Sequence, residues 1–479
     1  MLEKQAVYEE VQRLEQQCTD ICRYLWAHPE TGGNEKLSVE YLTGILEQEG
    51  FRVKKGNAPE YASAVRNGSR PEYASAVKNG SGPEYAFLAE YGSGGPVIAV
   101  LAEYDALPGL SQKACAVREP VEAGGPGHGC GHNLLGAASV TGAIAVKRYL
   151  EKSGIAGTVR LYGCPEEELL SGKVRMAAAH MFDGCDLAVS WHPGSVNSVY
   201  DGGYLANVSA KFFFKGQTSH AAFAPERGRS ALDAVELMNV GANYLREHVI
   251  DKARIHYTTD SGGFAPNIVP DHASAWYFVR APHMYQVKEI LERLDKIAQG
   301  AALMTETKSE MQVGYGCYEM KENHAFADLC YANLKEAGTI RYTPEELAFA
   351  KELQDTLDPA VVKEEEKMYR RSPVLMADFV AHRDFWERVP LTASSDSGDV
   401  SQIVPMGLLN TTCWPAGCSP HTWQASAACG STLGEKGALH AARSIAGIVC
   451  DLLNQPEVVE KIRKEFEEAG GQEYQPVCG

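Results

Sequence analysis

Residues 124–133 read Gly-Gly-Pro-Gly-His-Gly-Cys-Gly-His-Asn. Five glycines in so short a stretch permit tight turns and close backbone approach. A thiol and an imidazole two residues apart, Cys130 and His132, suit a borderline ion such as Zn²⁺, or Mn²⁺ where more oxygen ligands are present. A glycine-rich turn with an incidental Cys and His looks the same, so this loop alone divides evenly between the two readings.

Three further stretches carry possible ligands. Pro165-Glu166-Glu167-Glu168 follows a strand expected over Thr158–Gly163. Carboxylates at the carboxyl end of a strand sit where open α/β sheets bind ligands. In extended chain, neighbouring glutamates point opposite ways, so one can bind metal while the next faces a water. Taken alone, the run reads as a solvated acidic cap. Trp191-His192-Pro193 ends another expected strand, and Ser419-Pro420-His421-Thr422 lies in a late loop. With 14 histidines in the chain, neither His192 nor His421 means much singly. Together the four stretches offer one thiolate, three imidazoles and one or two carboxylates. That inventory fits a two-metal hydrolytic site, with ions about 3.5–4 Å apart and a water between them. Competing signatures are missing: there is no G-x-S-x-G elbow, Walker loop, G-x-G-x-x-G fingerprint or zinc-deaminase pattern.

The elements that would position these residues alternate. Helices are expected over 4–28 and Ser38–Gln48, then a strand over Val97–Leu101 and a helix over Leu134–Tyr149. The Thr158–Gly163 strand, a helix over Val174–His180 and a strand over Leu187–His192 follow. This order predicts a mostly parallel sheet with helices on both faces. Near Gly202-Gly203 the pattern changes. A strand over Ala206–Lys215, a helix over Ser230–His248, strands over His256–Asp260 and Ala273–Arg280, a helix over Tyr285–Met304 and a strand over Lys308–Gly314 make a β-α-β-β-α-β unit. The simplest architecture is α/β, with an α+β sandwich inserted at 204–318 into a main domain made of 1–203 and 319–479.

A twelve-residue unit is repeated at 59–94. Pro59-Glu60-Tyr61-Ala62 recurs at Pro71 and Pro83, and Asn67-Gly68-Ser69 recurs at Asn79. Three copies are too few for a solenoid of their own. The third is expected in the sheet, and the first two in an edge hairpin or surface loop.

With 479 residues, the chain exceeds one ordinary domain. The net charge of −17 opposes bulk binding to nucleic acid or anionic membrane. No run approaches the ~20 apolar residues of a membrane span. Met1-Leu2-Glu3-Lys4-Gln5 leads into a charged helix, and the thirteen scattered cysteines read as reduced thiols, so a cytoplasmic location is expected.

In this order, the motifs resemble the co-catalytic metallopeptidase family of aminoacylases and glutamate carboxypeptidases, in its amidohydrolase branch. The resemblance spans nearly the whole chain. It rests on Leu101–Leu110 (LAEYDALPGL), Gly127–Gly136 (GHGCGHNLLG), Pro165–Gly172 (PEEELLSG), Gly216–Ala222 (GQTSHAA), Gly228–Leu245, Ala265–Pro270 (APNIVP), Ser394–Val400 (SSDSGDV) and Pro420–Trp423 (PHTW). It implies an aminopeptidase-like catalytic domain with an inserted lid or dimerisation domain.

The resemblance further implies two divalent ions, Zn or Mn, held by Cys130, His132, Glu168, His192 and His421, with Glu167 as general base. His220 would reach a partner subunit's site and steady the oxyanion. Asn267 and Arg280 would contact the substrate's carboxylate. Glu103 or Asp105 would act behind the ligands. The implied reaction is hydrolysis of an N-acyl or N-aroyl amino acid, with N-(4-aminobenzoyl)-glutamate as the leading substrate. The implied assembly is a homodimer or a pair with a related subunit. A dipeptidase or general N-acyl-amino-acid hydrolase is the enzymatic alternative, and an inactive subunit supporting a paralogue the non-enzymatic one. Two features depart from the family pattern: the threefold 59–94 unit, and the extra acid Glu166.

Overall fold

The computed structural model describes residues 2–56, 82–385, 393–470 and 474–477. The first copy of the twelve-residue unit, nearly all of the second, and both Asn-Gly-Ser triplets lie outside them. The strands in chain order are β1 (Arg52–Lys55), β2 (Phe87–Ser93), β3 (Val97–Glu103), β4 (Gly157–Cys164), β5 (Leu187–Gly194), β6 (Val196–Tyr200), β7 (Ala206–Lys215), β8 (Arg254–Ser261), β9 (His272–Ala281), β10 (Lys308–Cys317), β11 (Met376–Ala381) and β12 (Met406–Thr412).

Two compact units result. The first gathers Met1–Gly202, Lys321–Pro390 and Val400–Tyr474. Its sheet runs β1-β2-β4-β3-β5-β12-β6-β11. The central block β4-β3-β5-β12 is parallel throughout. Antiparallel pairs join β1 to β2, β2 to β4 and β12 to β6. The sheet is therefore mixed outside its centre, where the sequence predicts mostly parallel pairing. The third copy of the repeated unit supplies β2, paired with β4.

Val97–Glu103 is buried along almost its whole length, as a strand covered on both faces must be. One cover is the helix His132–Ser153, whose small residues let it lie close to the sheet. Gly136 marks the closest approach: a Cβ there would fall 2.9 Å from the Glu103 carbonyl oxygen. That contact brings the first turn of the helix, with His132, to the carboxyl end of β3. The helix Thr432–Asn454 packs on the same helix, with Ile445 against Gly142.

The second unit contains Gly203–Met320 with the stretches Leu391–Asp399 and Gln475–Gly479. Its antiparallel sheet runs β10-β7-β9-β8. Residues on β7 alternate in burial, as expected for a half-covered sheet. The apolar stripes of the helices Ala231–Leu245 and Met284–Thr305 supply the rest of its core. The sequence places 393–399 with the main domain. Here Leu205 N–H donates to the Ala393 oxygen at 2.9 Å, and Tyr318 N–H to Asp399 at 2.9 Å, which ties that stretch to the second unit. No helix among the described residues is long and apolar enough to cross a membrane.

Candidate active site

The carboxyl ends of β3, β4, β5 and β12 lie side by side, and the loops leaving them carry the chemistry. β3 ends at Glu103, followed by Asp105. β4 leads to Glu167 and Glu168. β5 contains His192, and β12 leads to the loop with His421. Gly131, at φ +81, turns the glycine-rich loop into the helix that begins at His132.

The five expected ligands converge. Cys130 Sγ stands 3.3 Å from His192 Nε2. Glu168 Oε2 stands 3.3 Å from His421 Nε2. Cys130, His132 and His192 present ligand atoms mutually within 4.8 Å, and so do Cys130, Glu168 and His421. A third such group is Glu103, His132 and Glu167. The three groups overlap at Cys130 and His132. The late loop is tied to the glycine-rich loop by His421 N–H donating to the Gly129 oxygen at 2.8 Å.

Hydrogen bonds set the rings. His132 Nδ1–H donates to Asp105 Oδ1 at 2.9 Å, and His192 Nδ1–H to the Pro193 oxygen at 2.8 Å. Both rings therefore turn Nε2 inward, the atom a metal-binding histidine offers. In the metal-free site burial opposes a proton on His132, but Cys130 and Asp105 outweigh it and hold the ring well above its usual range, so a cation would displace that proton. His132 Nε2 and Glu168 Oε1 are buried and have no hydrogen-bond partner among the described residues. Leaving such a group unsatisfied costs about 1–3 kcal/mol, which a cation would relieve. One thiol, three imidazoles and buried carboxylates, with inward polar atoms lacking hydrogen-bond partners, fit a divalent cation.

Electrostatics agree. Burial, with Glu103 nearby, pushes Glu167 up to about 8, and burial raises Glu168 to about 7. Burial, with the Glu168 charge, also pushes the Cys130 thiol up. Burial, with His132 beside it, pulls His192 down to about 4. Without a cation the pocket thus disfavours the anions that would ligate one. Burial opposes charge on Glu103 too, but Lys173 at 2.8 Å outweighs it and keeps this carboxyl below the usual range.

The glutamate stretch differs from the extended chain expected. Glu166 adopts φ +59, and Glu167–Leu169 form a 3-10 turn. Gly172 makes room for it, since a Cβ there would lie 1.6 Å from the Pro165 oxygen. The turn sends Glu167 and Glu168 to neighbouring positions: Glu167 Oε2 lies 3.9 Å from His132 Nε2, and Glu168 faces His421. The extra acid Glu166 is not spare. Its carboxylate accepts Ser171 Oγ–H at 2.8 Å and pairs with Arg175 at 2.7 Å.

Three expected residues lie in the second unit. His220 and Asn267 sit on adjoining loops, joined by Ala221 N–H donating to the Asn267 oxygen at 3.0 Å. His220 Nδ1 accepts the Phe223 N–H at 3.1 Å, so the neutral ring carries its proton on exposed Nε2. Arg280, on β9, is half-buried with its guanidinium over the Phe278 ring.

Lys173 could not be anticipated from the sequence. It is fully buried, and nothing in Ser171-Gly172-Lys173-Val174 marks it. Asp105 is expected behind the ligands, but its second bond, accepting the Glu168 N–H at 2.9 Å, is silent in sequence.

A peptidase dimerisation domain pattern matches residues 206–305. The chain is 40% identical over 470 residues to a p-aminobenzoyl-glutamate hydrolase subunit of Escherichia coli (strain K12), covering 95% of this chain and 92% of that protein. It is 26% identical over 373 residues to the Xaa-Arg dipeptidase of Mus musculus, covering 77% and 73%. Among solved structures, an aminobenzoyl-glutamate utilization protein from Klebsiella pneumoniae matches with a TM-score of 0.57 at 17% identity, covering 94% of this chain and 98% of that one. A dinuclear metal-binding peptidase of the M20 family from Bacillus subtilis matches with a TM-score of 0.56 at 16% identity, covering 92% and 99%.

Proposed function

Because the chain belongs to the M20 peptidase family and is a metal-dependent amidohydrolase, we propose that it hydrolyses N-acyl and N-aroyl amino acids, N-(4-aminobenzoyl)-glutamate foremost. The observation that carries this reading is the convergence of Cys130, His132, Glu168, His192 and His421 beside the buried Glu167. Those five side chains would hold two divalent ions, Zn or Mn. Such ions supply polarisation of the amide carbonyl and a more acidic water.

The chain's own groups do the rest. Burial favours the protonated form of Glu167 in the metal-free site, and a bound cation would favour its carboxylate; as the carboxylate, Glu167 takes a proton from the attacking water and delivers it to the leaving amine. Asp105 keeps His132 and Glu168 in register. His220 presents an Nε2–H donor suited to a developing oxyanion. Asn267 and Arg280 bind the carboxylate of the amino-acid half. Arg280 is fitted to this by its part-buried guanidinium, since burial strengthens an ionic hydrogen bond. His220 serves the site of a partner subunit, which is a second copy of this chain or a related chain. Segment 204–318 is the lid and dimerisation domain, and the working compartment is the cytoplasm.

A panel of metal-loaded assays tests the reading. Release of glutamate from N-(4-aminobenzoyl)-glutamate, and turnover of acyl-amino acids, are expected. The similarity to an Xaa-Arg dipeptidase makes plain dipeptides the competing class. Cleavage of dipeptides, with aroyl-glutamates and acyl-amino acids all inert, contradicts the proposal.

A further inference from the structure

Glu35 lies more than a hundred residues from the glutamate turn in sequence and is fully buried beside it. Its Oε1 accepts the backbone N–H of Glu166 at 2.8 Å. Asp105 Oδ2 accepts the backbone N–H of Glu168 at 2.9 Å. Two carboxylates from separate parts of the chain therefore grip the backbone on either side of Glu167.

The turn needs holding. Glu166 at φ +59 and Leu170 at φ +53 both occupy the left-handed region, which residues with a Cβ rarely adopt without support. The Glu166 side chain is secured separately by Ser171 and Arg175. The Glu35 bond is thus the one described hydrogen bond that holds the Glu166 N–H.

We propose that Glu35 is a positioning residue: by accepting the Glu166 N–H it fixes the left-handed turn that aims the Glu167 carboxylate into the site. The inference rests on the reading of Glu167 as base. What Glu35 supplies is an acceptor oxygen rather than a charge. Burial and the nearby Asp105 push its carboxyl up to about 8, so at neutral pH the pocket already houses a largely neutral side chain there. A glutamine in its place retains the acceptor.

The test uses the full-length, metal-loaded protein with Glu35→Ala and Glu35→Gln, assayed on N-(4-aminobenzoyl)-glutamate. Glu35→Ala is expected to lower kcat about tenfold or more, with KM within about twofold and metal content unchanged. Glu35→Gln is expected to stay within about threefold of the parent. Hydrogen–deuterium exchange across 165–172, read without substrate, is expected to quicken in the alanine variant and to return to the parent rate in the glutamine variant. Glu35→Leu fills similar space without an acceptor and replaces the alanine variant should that fail to fold.

Parent-like kcat and exchange in the variants lacking an acceptor overturn the proposal. So does a glutamine variant as impaired as the alanine one, because charge would then be the operative property. A kcat loss repaired by excess metal also overturns it, since Glu35 would then act through the ligands. If the parent itself turns over no acyl- or aroyl-amino acid, the functional reading fails, and the exchange data still decide whether Glu35 holds the turn.

Discussion

Asp105 and His132 meet at 2.9 Å, Oδ1 against Nδ1, deep in the first unit where both side chains are fully buried. The other oxygen of the same carboxylate holds the Glu168 backbone. One side chain thereby orients two expected ligands from different elements, the helix that begins at His132 and the 3-10 turn that carries Glu168. Asp105→Ala is expected to weaken metal binding about 10–100-fold, measured by competition with a chromogenic chelator. Parent-like affinity would show that the ligands hold their geometry without it.

Lys173 and Glu103 form a buried ion pair at 2.8 Å. Removing one partner strands the other's charge away from water. Lys173→Met is expected to cost about 3–5 kcal/mol, seen as a lower urea midpoint. Adding Glu103→Leu to that variant should recover part of the loss. A single substitution with no effect on the midpoint would contradict the pairing.

Stability of the metal-free protein should fall on the alkaline side. Glu167 and Glu168 have folded values raised to about 8 and about 7 from the ordinary 4.5. A raised folded value means that the native state binds protons more tightly than the unfolded chain. Its stabilising contribution is complete below the unfolded value and is lost as pH rises through the folded one. His192, lowered to about 4, works in the opposite sense but only below about pH 6.5. Between about pH 6.5 and 8.5 the melting temperature of metal-free protein is therefore expected to drop. Zn²⁺ or Mn²⁺ should reduce the drop, because a cation favours the carboxylates of Glu167 and Glu168, while the part due to Glu35, raised to about 8, stays. Parallel curves with and without metal would refute this assignment.

His220 offers a test of shared sites. If it serves the partner's site, Glu167→Gln and His220→Ala are each poorly active alone. Mixed after dissociation and reassembly, they form hybrids in which one site combines an intact Glu167 with an intact His220. Recovery of activity on mixing is expected; a mixture no better than its parts would place His220 outside the partner's site.

The two sheets and the ligand loops were largely legible in the sequence, because their signals are local. Cys130 and His132 share one loop, and Val97–Glu103 is a continuous apolar run. β12 was not legible. Met-Gly-Leu-Leu-Asn-Thr-Thr looks like loop, yet all seven residues are buried at the sheet's centre. Its polar groups are met by distant partners: Asn410 by Tyr200, Thr411 by the Gly437 carbonyl and Thr412 by Asn197. Glu35 and Lys173 escape notice for the same reason. Among 62 acids and 45 bases, nothing near either residue in sequence announces a partner brought in by the fold.

On the proposed mechanism hydrolysis depends above all on Glu167, and the most direct measurement is the rate of N-(4-aminobenzoyl)-glutamate hydrolysis by metal-loaded Glu167→Gln. With metal content equal to the parent's, the rate is expected to fall about 10²–10⁴-fold, the usual contribution of a positioned general base. A rate equal to the parent's at equal metal content would contradict the mechanism.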